Sequence, residues 1–410
     1  MRVLLVLLVF AAPAGAQQFT YRGFAQVQLT GYAEDTPADD ERALAEALVR
    51  FEPAYRPADW LTLSGSVDAR TDSIEQVERE WRIDVRDRGL QRPALSVRHA
   101  QASLRKGTLA VDLGKQFIRW GKADILNPTD RFAPRDFLEV TDDEFLAVFG
   151  ARGQYKRGAQ SFDVVWIPTF TPSRTPLIGR RWAPASPQTL GYSGYTGFID
   201  IDPVFPRRSQ YGARWNVVGP GFEGSLSFFD GFNHLPQYTT IPLSGRPLVA
   251  LRRMYAPMRM AGADGAVPLR WLTVKGEVAA LFTTSAEADD VVVYIIQLER
   301  QSGELSLVAG YAGEVVTGER STFDFAPDRG LTHAFLARAG YTIGPTSDVS
   351  FEAAVRQNLD GVWLKGQYSR AVGTHWRATL SGAVIGGDER DFIGQYRRNS
   401  HVLTTLRYSF

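Results

Sequence analysis

Charged residues recur inside apolar alternating segments of this chain, always on one face, and few folds tolerate that pattern. In residues 401–410, Val402, Thr404, Leu406, Tyr408 and Phe410 share one face while Leu403, Thr405, Arg407 and Ser409 share the other. That is the period of two of a β-strand. Tyr21, Gly23, Ala25, Val27 and Leu29 likewise oppose Arg22, Gln26, Gln28 and Thr30. Leu61, Leu63, Val67 and Ala69 oppose Ser64, Ser66, Asp68 and Arg70, and Val274, Val278, Ala280 and Phe282 oppose Lys275 and Glu277. A dry sandwich core has no place for such charges, whereas a water-filled lumen does. The pattern predicts an all-β fold, an antiparallel up-and-down transmembrane β-barrel.

The connectors support this, because they alternate in length. Short ones lie at 56–59, 106–107, 156–158, 219–221, 301–303, 344–348 and 371–373, and longer ones at 73–92, 121–144, 171–207, 231–248, 315–331 and 387–399. Alternation of turns and loops is expected when all strands run up and down through one membrane. The walk along the chain gives about 18 strands, with 16 open. Two stretches fit poorly. In 93–105 the apolar face switches between Val97 and Ala100, and 249–264 carries Arg252 and Arg253 together; a bulge in each would account for them. Aromatics near strand ends, among them Tyr32, Tyr55, Trp60, Trp166, Phe228, Phe229, Tyr341, Tyr368 and Trp376, suit two interfacial girdles.

The start of the chain reads as an address. Met1-Arg2, an apolar run from Val3 to Ala12 and the small residues Ala14-Gly15-Ala16 predict a signal peptide over 1–16, cleaved before Gln17. The remainder, 17–410, reads as one barrel without a linker. There is no cysteine, so neither a disulfide framework nor a thiolate metal site is expected. A net charge of +1 argues against a nucleic-acid-binding surface. The 24 Phe, 15 Tyr and 9 Trp in a chain only 44% hydrophobic suit strands that spend half their residues on lipid and half on water.

The terminal strand, ending on Tyr408 and Phe410, resembles the closing strand of Gram-negative outer-membrane barrels. The resemblance implies outer-membrane lipid and lipopolysaccharide as surroundings and the barrel-assembly machinery as a partner reading those residues. A second stretch, residues 114–130, resembles a poorly characterised family of porin-like outer-membrane barrels through Gly114, Lys115, Gln116, Trp120, Gly121, Asp124, Asn127, Pro128 and Asp130. It implies transport of a small-molecule solute without naming one. A homotrimer is compatible with such a barrel, though no residue demonstrates it.

The motif opens the third long loop, the one that folds into the lumen in trimeric porins. The constriction is therefore expected at Asp124, Asp130, Arg131, Arg135, Asp136 and Glu139, with Asp142, Asp143 and Glu144 following. The facing wall is expected to carry Arg22, Arg50, Arg70, Arg152, Arg214, Lys275, Arg338, Arg356, Lys365, Arg377 and Arg407. An acidic loop against a basic wall would set a transverse field that selects by charge. The alternative is a loop that caps the mouth with its charges paired among themselves. Loop 171–207, with Arg174, Arg180, Arg181, Tyr192, Tyr195 and Phe198, offers a basic aromatic surface or a solvated Pro-rich loop.

Other patterns carry less. Gly219-Pro-Gly221 fits a nucleotide-loop spacing but joins two strands, so a turn is expected. The five histidines have no metal spacing, and no metal or other cofactor is implied. The acidic run 285–290 could hold Ca²⁺ or simply be solvated. The expected function is a porin-like channel for passive diffusion, not an enzyme. Its rivals are a transporter for hydrophobic substrates, marked by an apolar lumen patch, a barrel enzyme using His333 or His375, and a plugged barrel acting through its loops.

Overall fold

The computed structural model describes residues 18–183, 195–286, 288–319 and 326–410. The predicted signal peptide, Tyr192 and Glu287 lie outside the described residues.

Among the described residues, eighteen antiparallel strands close into one barrel. They are β1 (Phe19–Tyr32), β2 (Ala43–Ala58), β3 (Leu61–Asp72), β4 (Leu95–Lys106), β5 (Leu109–Gln116) and β6 (Val148–Arg157). Next come β7 (Gln160–Ile167), β8 (Gln210–Gly219), β9 (Phe222–Phe232), β10 (Pro257–Pro268), β11 (Thr273–Thr283) and β12 (Asp290–Ser302). The last six are β13 (Leu305–Gly318), β14 (Ala334–Gly344), β15 (Ser347–Arg356), β16 (Gly361–Val372), β17 (Trp376–Gly387) and β18 (His401–Ser409). Of the two expected counts, 18 is the one observed. Turns of two to four residues join them at one end, and loops such as 73–94, 117–147 and 168–209 join them at the other.

The alternation sorts as the sequence predicts. Val27, Leu29, Val402 and Leu406 are about half exposed, on the outer face. Gln26, Ser66, Asp68 and Glu277 are buried, on the inner one. The bulge expected near Val97 exists: Ser66 pairs with His99 but Val67 pairs with Val97, so Arg98 is the extra residue. It lets Arg98 and His99 both turn inward, where the Arg98 guanidinium lies 4.5 Å from the centre of the Phe117 ring. The other irregular stretch is not one bulged strand. Leu248–Met254 pairs instead with Gly197–Ile201 and Gln237–Pro242 in a small sheet built from two long loops, and β10 begins only at Pro257. Two of the expected girdle aromatics, Tyr32 and Phe229, are interior side chains.

β1 and β18 form the closing seam. Gly23 and Phe410 exchange two backbone hydrogen bonds of 3.0 Å. A Cβ at Gly23 would lie 2.6 Å from the Phe410 ring and 2.5 Å from the Arg50 carbonyl oxygen, so the terminal ring fits because this position carries no side chain. Gly23→Val is expected to cost about 1–3 kcal/mol by overpacking this seam. The mobility of unheated protein on detergent gels across a denaturant series reads the folded fraction. A midpoint equal to that of the wild type would show that the seam has slack.

Candidate pore and constriction loop

Loop 117–147 leaves β5 and turns into the barrel. At its root, the Gln116 amide donates to the carbonyls of Asp112 and Gly150, at 3.1 and 3.0 Å. Trp120 packs edge-on against Phe132 with ring centres 5.0 Å apart, and Phe132 packs edge-on against Phe229 at 4.9 Å. The Trp120 indole N–H donates to Asp163, 3.3 Å away on β7. The loop is thus held at its start by an apolar wedge.

A single carboxylate then receives it. Glu277 on β11 accepts from the backbone N–H groups of Lys122 (3.1 Å), Ala123 (3.3 Å) and Thr129 (2.8 Å), and from the Thr129 hydroxyl (2.8 Å). Gly121, at φ 103°, passes so close that a Cβ there would lie 2.7 Å from the carboxylate. This explains Trp-Gly in the motif: the ring anchors and the glycine lets the backbone approach. Asn127 donates to the Ala123 carbonyl at 2.5 Å, closing the turn that Pro128 continues. Around it, Asp124 accepts from Lys275 at 2.7 Å, and Lys122 reaches Glu223 at 2.7 Å. Asp130 accepts from the Trp120 N–H and the Arg119 guanidinium, both at 3.3 Å. Burial pushes the Asp130 carboxyl up to about 6 despite Arg135 and Arg119.

Farther along, Asp136 takes Arg92 at 3.1 Å and Arg174 at 3.0 Å. Arg174 also reaches Asp87 at 2.9 Å, and Asp87 takes Lys115 of the motif at 2.5 Å. Burial opposes the Asp136 charge, but the two guanidiniums hold its carboxyl well below the usual range. Loops 73–94, 117–147 and 168–209 therefore share one buried ionic network.

The segment from Glu139 to Glu144 borders a charged cavity. The cavity, of about 230 Å³, lies between that segment and the wall formed by β1, β2, β3 and β18. Glu139, Asp142 and Glu144 border it from the loop, and Arg70, Arg92 and Arg407 from the other side. Arg70 meets Glu144 at 3.1 Å and Glu46 at 3.3 Å, and Asp142 lies 3.8 Å from Lys365. Arg407 donates to the Gln26 amide oxygen at 2.7 Å, with its guanidinium over the Phe24 ring. Arg50 pairs with Asp68 at 2.7 Å. Burial pushes the Glu139 carboxyl up to about 7, with Asp142 and Glu46 adding to the push against Arg92. Burial acts on Glu144 too, yet Arg70, Arg92 and Arg50 hold it at about 2.

Of the six residues expected at the constriction, Glu139 borders this cavity. Asp124, Asp130 and Asp136 are held in the contacts above, and Arg135 pairs with Asp143 at 2.9 Å. Arg131 lies against Asn233 and His234 on the opposite side of the loop. Among the expected wall cations, Arg70 and Arg407 border the cavity and Lys365 lies beside Asp142. Arg152 pairs with Asp163, and Arg214 with Asp264 at 2.8 Å, on the strands behind the loop. Arg338 pairs with Glu352, and Arg356 with Asp391. Arg22 pairs with Glu52, and Arg377 with Asp348, nearer the short turns. Arg92 and Glu46 escaped the sequence reading; Arg92 sits in an aperiodic loop and carries no strand signal.

His333 lies at the long-loop end and His375 in a short turn at the other, so the two share no site. Gly219-Pro-Gly221 is the expected β8–β9 turn, with Gly221 at φ 77°. In the acidic run, Asp289 pairs with Arg329 at 2.9 Å and Asp290 accepts from the Thr283 N–H at 2.7 Å.

No protein-family model matches the chain, and no curated protein matches it in sequence. Solved structures do match in fold. OccAB3 of Acinetobacter baumannii superposes with a TM-score of 0.57 at 8% identity, over 96% of this chain and 99% of that one. A BenF-like porin from Pseudomonas fluorescens Pf-5 gives 0.55 at 8% identity, over 96% and 98%. Pseudomonas aeruginosa OpdQ gives 0.52 at 10% identity, over 96% and 98%. These likenesses carry the fold.

Two outcomes test the site. Glu277→Ala strands three loop N–H groups, each worth about 1–3 kcal/mol when buried without a partner, so the loop should become cleavable by added protease while the strands stay protected. Equal protection would mean that the Trp120 wedge alone holds it. In a carboxyl ¹³C titration, Glu139 should turn over near pH 7. A midpoint in the ordinary glutamate range would contradict its burial.

Proposed function

We propose that this chain is an outer-membrane channel through which small polar solutes diffuse, narrowed by loop 117–147. The observation that carries the proposal is the cavity between Glu139, Asp142 and Glu144 on that loop and Arg70, Arg92 and Arg407 facing it. Opposed charges this close lie well inside the Debye length of about 8 Å at physiological ionic strength, so salt screens them little. A solute crossing between them would be oriented by its dipole and selected by its charge. No covalent chemistry is part of the proposal. The fold shared with known porins and the porin-like motif at 114–130 both support it.

In this reading the long loops face outward and the short turns face the periplasm, to which residues 1–16 would direct the chain. The outer face meets lipid and lipopolysaccharide, and Tyr408 and Phe410 present the signal read by the assembly machinery.

The test is single-channel recording from refolded protein in a planar bilayer, with reversal potential measured across a salt gradient. Discrete steps are expected. Neutralising the loop with Glu139→Gln, Asp142→Asn and Glu144→Gln should move the reversal potential toward anion preference, and Arg70→Gln with Arg407→Gln should move it the other way. Glu139 loses its proton as pH rises through about 7. Cation preference should therefore increase between pH 6 and 8, and Glu139→Gln should flatten that change. Folded barrels that carry no current would defeat the proposal.

A further inference from the structure

A second cavity, of about 200 Å³, lies inside the barrel near its long-loop end, with a chemistry unlike that of the first. Leu126 and Phe137 of the inward loop, Leu336 and Trp363 on β14 and β16, and Phe392 and Tyr396 in loop 388–400 line it. A dry apolar cavity of about 150 Å³ is enough to bind benzene, so this one holds a single aromatic ring with a small substituent.

The polar groups around it are of two kinds. Its ionic side chains are closed into pairs, Arg338 with Glu352 at 3.1 Å and Arg135 with Asp143 at 2.9 Å, which leaves no net charge to draw an ion. By contrast, the Trp363 indole N–H and the Tyr396 hydroxyl are shut away from water with no hydrogen-bond partner among the described residues. Tyr396 is 4% exposed, and Phe392 packs edge-on against it. Buried donors in native proteins are normally satisfied, and an indole N–H can only donate. Both side chains line the chamber while their unmet donor atoms lie just behind its surface, so a small turn of either ring would bring a donor to an acceptor carried by a flat apolar group.

We propose that this chamber is a binding subsite for an uncharged aromatic group bearing a hydrogen-bond acceptor, such as an aromatic ketone or ester. Leu126, Phe137 and Phe392 enclose the ring, and Trp363 or Tyr396 donates to its oxygen after a small side-chain adjustment. The proposal deepens the channel reading and rests on it for the route: a solute from the loop side would pause here before the charged constriction. Binding itself needs no current.

Acetophenone is the probe, with benzoate as its charged counterpart. Saturation-transfer NMR is run on the full refolded chain in nanodiscs, with empty nanodiscs as the blank. Saturable acetophenone binding above the blank is expected, with benzoate weaker. Trp363→Phe and Tyr396→Phe each remove one donor while leaving an aromatic ring in place, and the one whose donor meets the ligand should weaken binding about fivefold to tenfold, the worth of one neutral hydrogen bond. Ala354→Phe, directly across the β15–β16 pair from Trp363, fills the chamber and should abolish it, and unheated gel mobility confirms that each variant folds. Binding no greater than in empty nanodiscs, or unchanged in all three variants, overturns the subsite. Benzoate binding as tightly as acetophenone overturns its preference for neutral groups. Bilayer currents separate the two readings: saturable binding to a barrel without current defeats the channel and leaves the subsite, and normal current without binding does the reverse.

Discussion

The loop that enters this barrel is seated on one carboxylate of the inner wall. A loop entering a lumen brings backbone N–H groups that have lost water and must find acceptors. Glu277 supplies them for Lys122, Ala123 and Thr129 together, and adds the Thr129 hydroxyl. The arrangement works in both directions. An isolated buried carboxylate is costly, and four donors aimed at it offset that cost. Because the acceptor is on a barrel strand paired on both sides, it is fixed, and the loop inherits its position from the wall.

The other end of the loop is held by opposite chemistry. Asp136 lies between Arg92 and Arg174, which come from two different loops. Removing one member of such a buried set leaves an uncompensated charge, so the set forms or fails together. With its beginning on Glu277 and its middle on Asp136, the loop presents Glu139, Asp142 and Glu144 to the charged cavity.

Much of the barrel was legible in the sequence because lipid and water impose opposite demands on alternate residues. Tyr211 and Trp215 could only face out, and Arg214 only in. The face switch near Val97 signalled a real bulge at Arg98. Other features gave no such contrast. Val249, Ala250 and Leu251 are buried in a loop sheet, and a short apolar run reads the same there as in a wall. Tyr32 and Phe229 sit where girdle aromatics would sit, but an aromatic near a strand end serves a membrane interface or an interior wedge equally well.

The charges show why a linear list of basic residues overstates a basic wall. Arg152, Arg214 and Lys275 stand on inner faces as the alternation requires, yet each meets a carboxylate, on Asp163, Asp264 and Asp124. Alternation assigns a face; it does not say which acid lies across from a base, because that depends on strand register and on where the loop comes to rest. Of these three cations Lys275 is the one met by the loop, and on the far side the loop's Glu144 and Asp136 meet Arg70 and Arg92 in the same way. The seat on Glu277 thereby sets which sector of the lumen the loop fills.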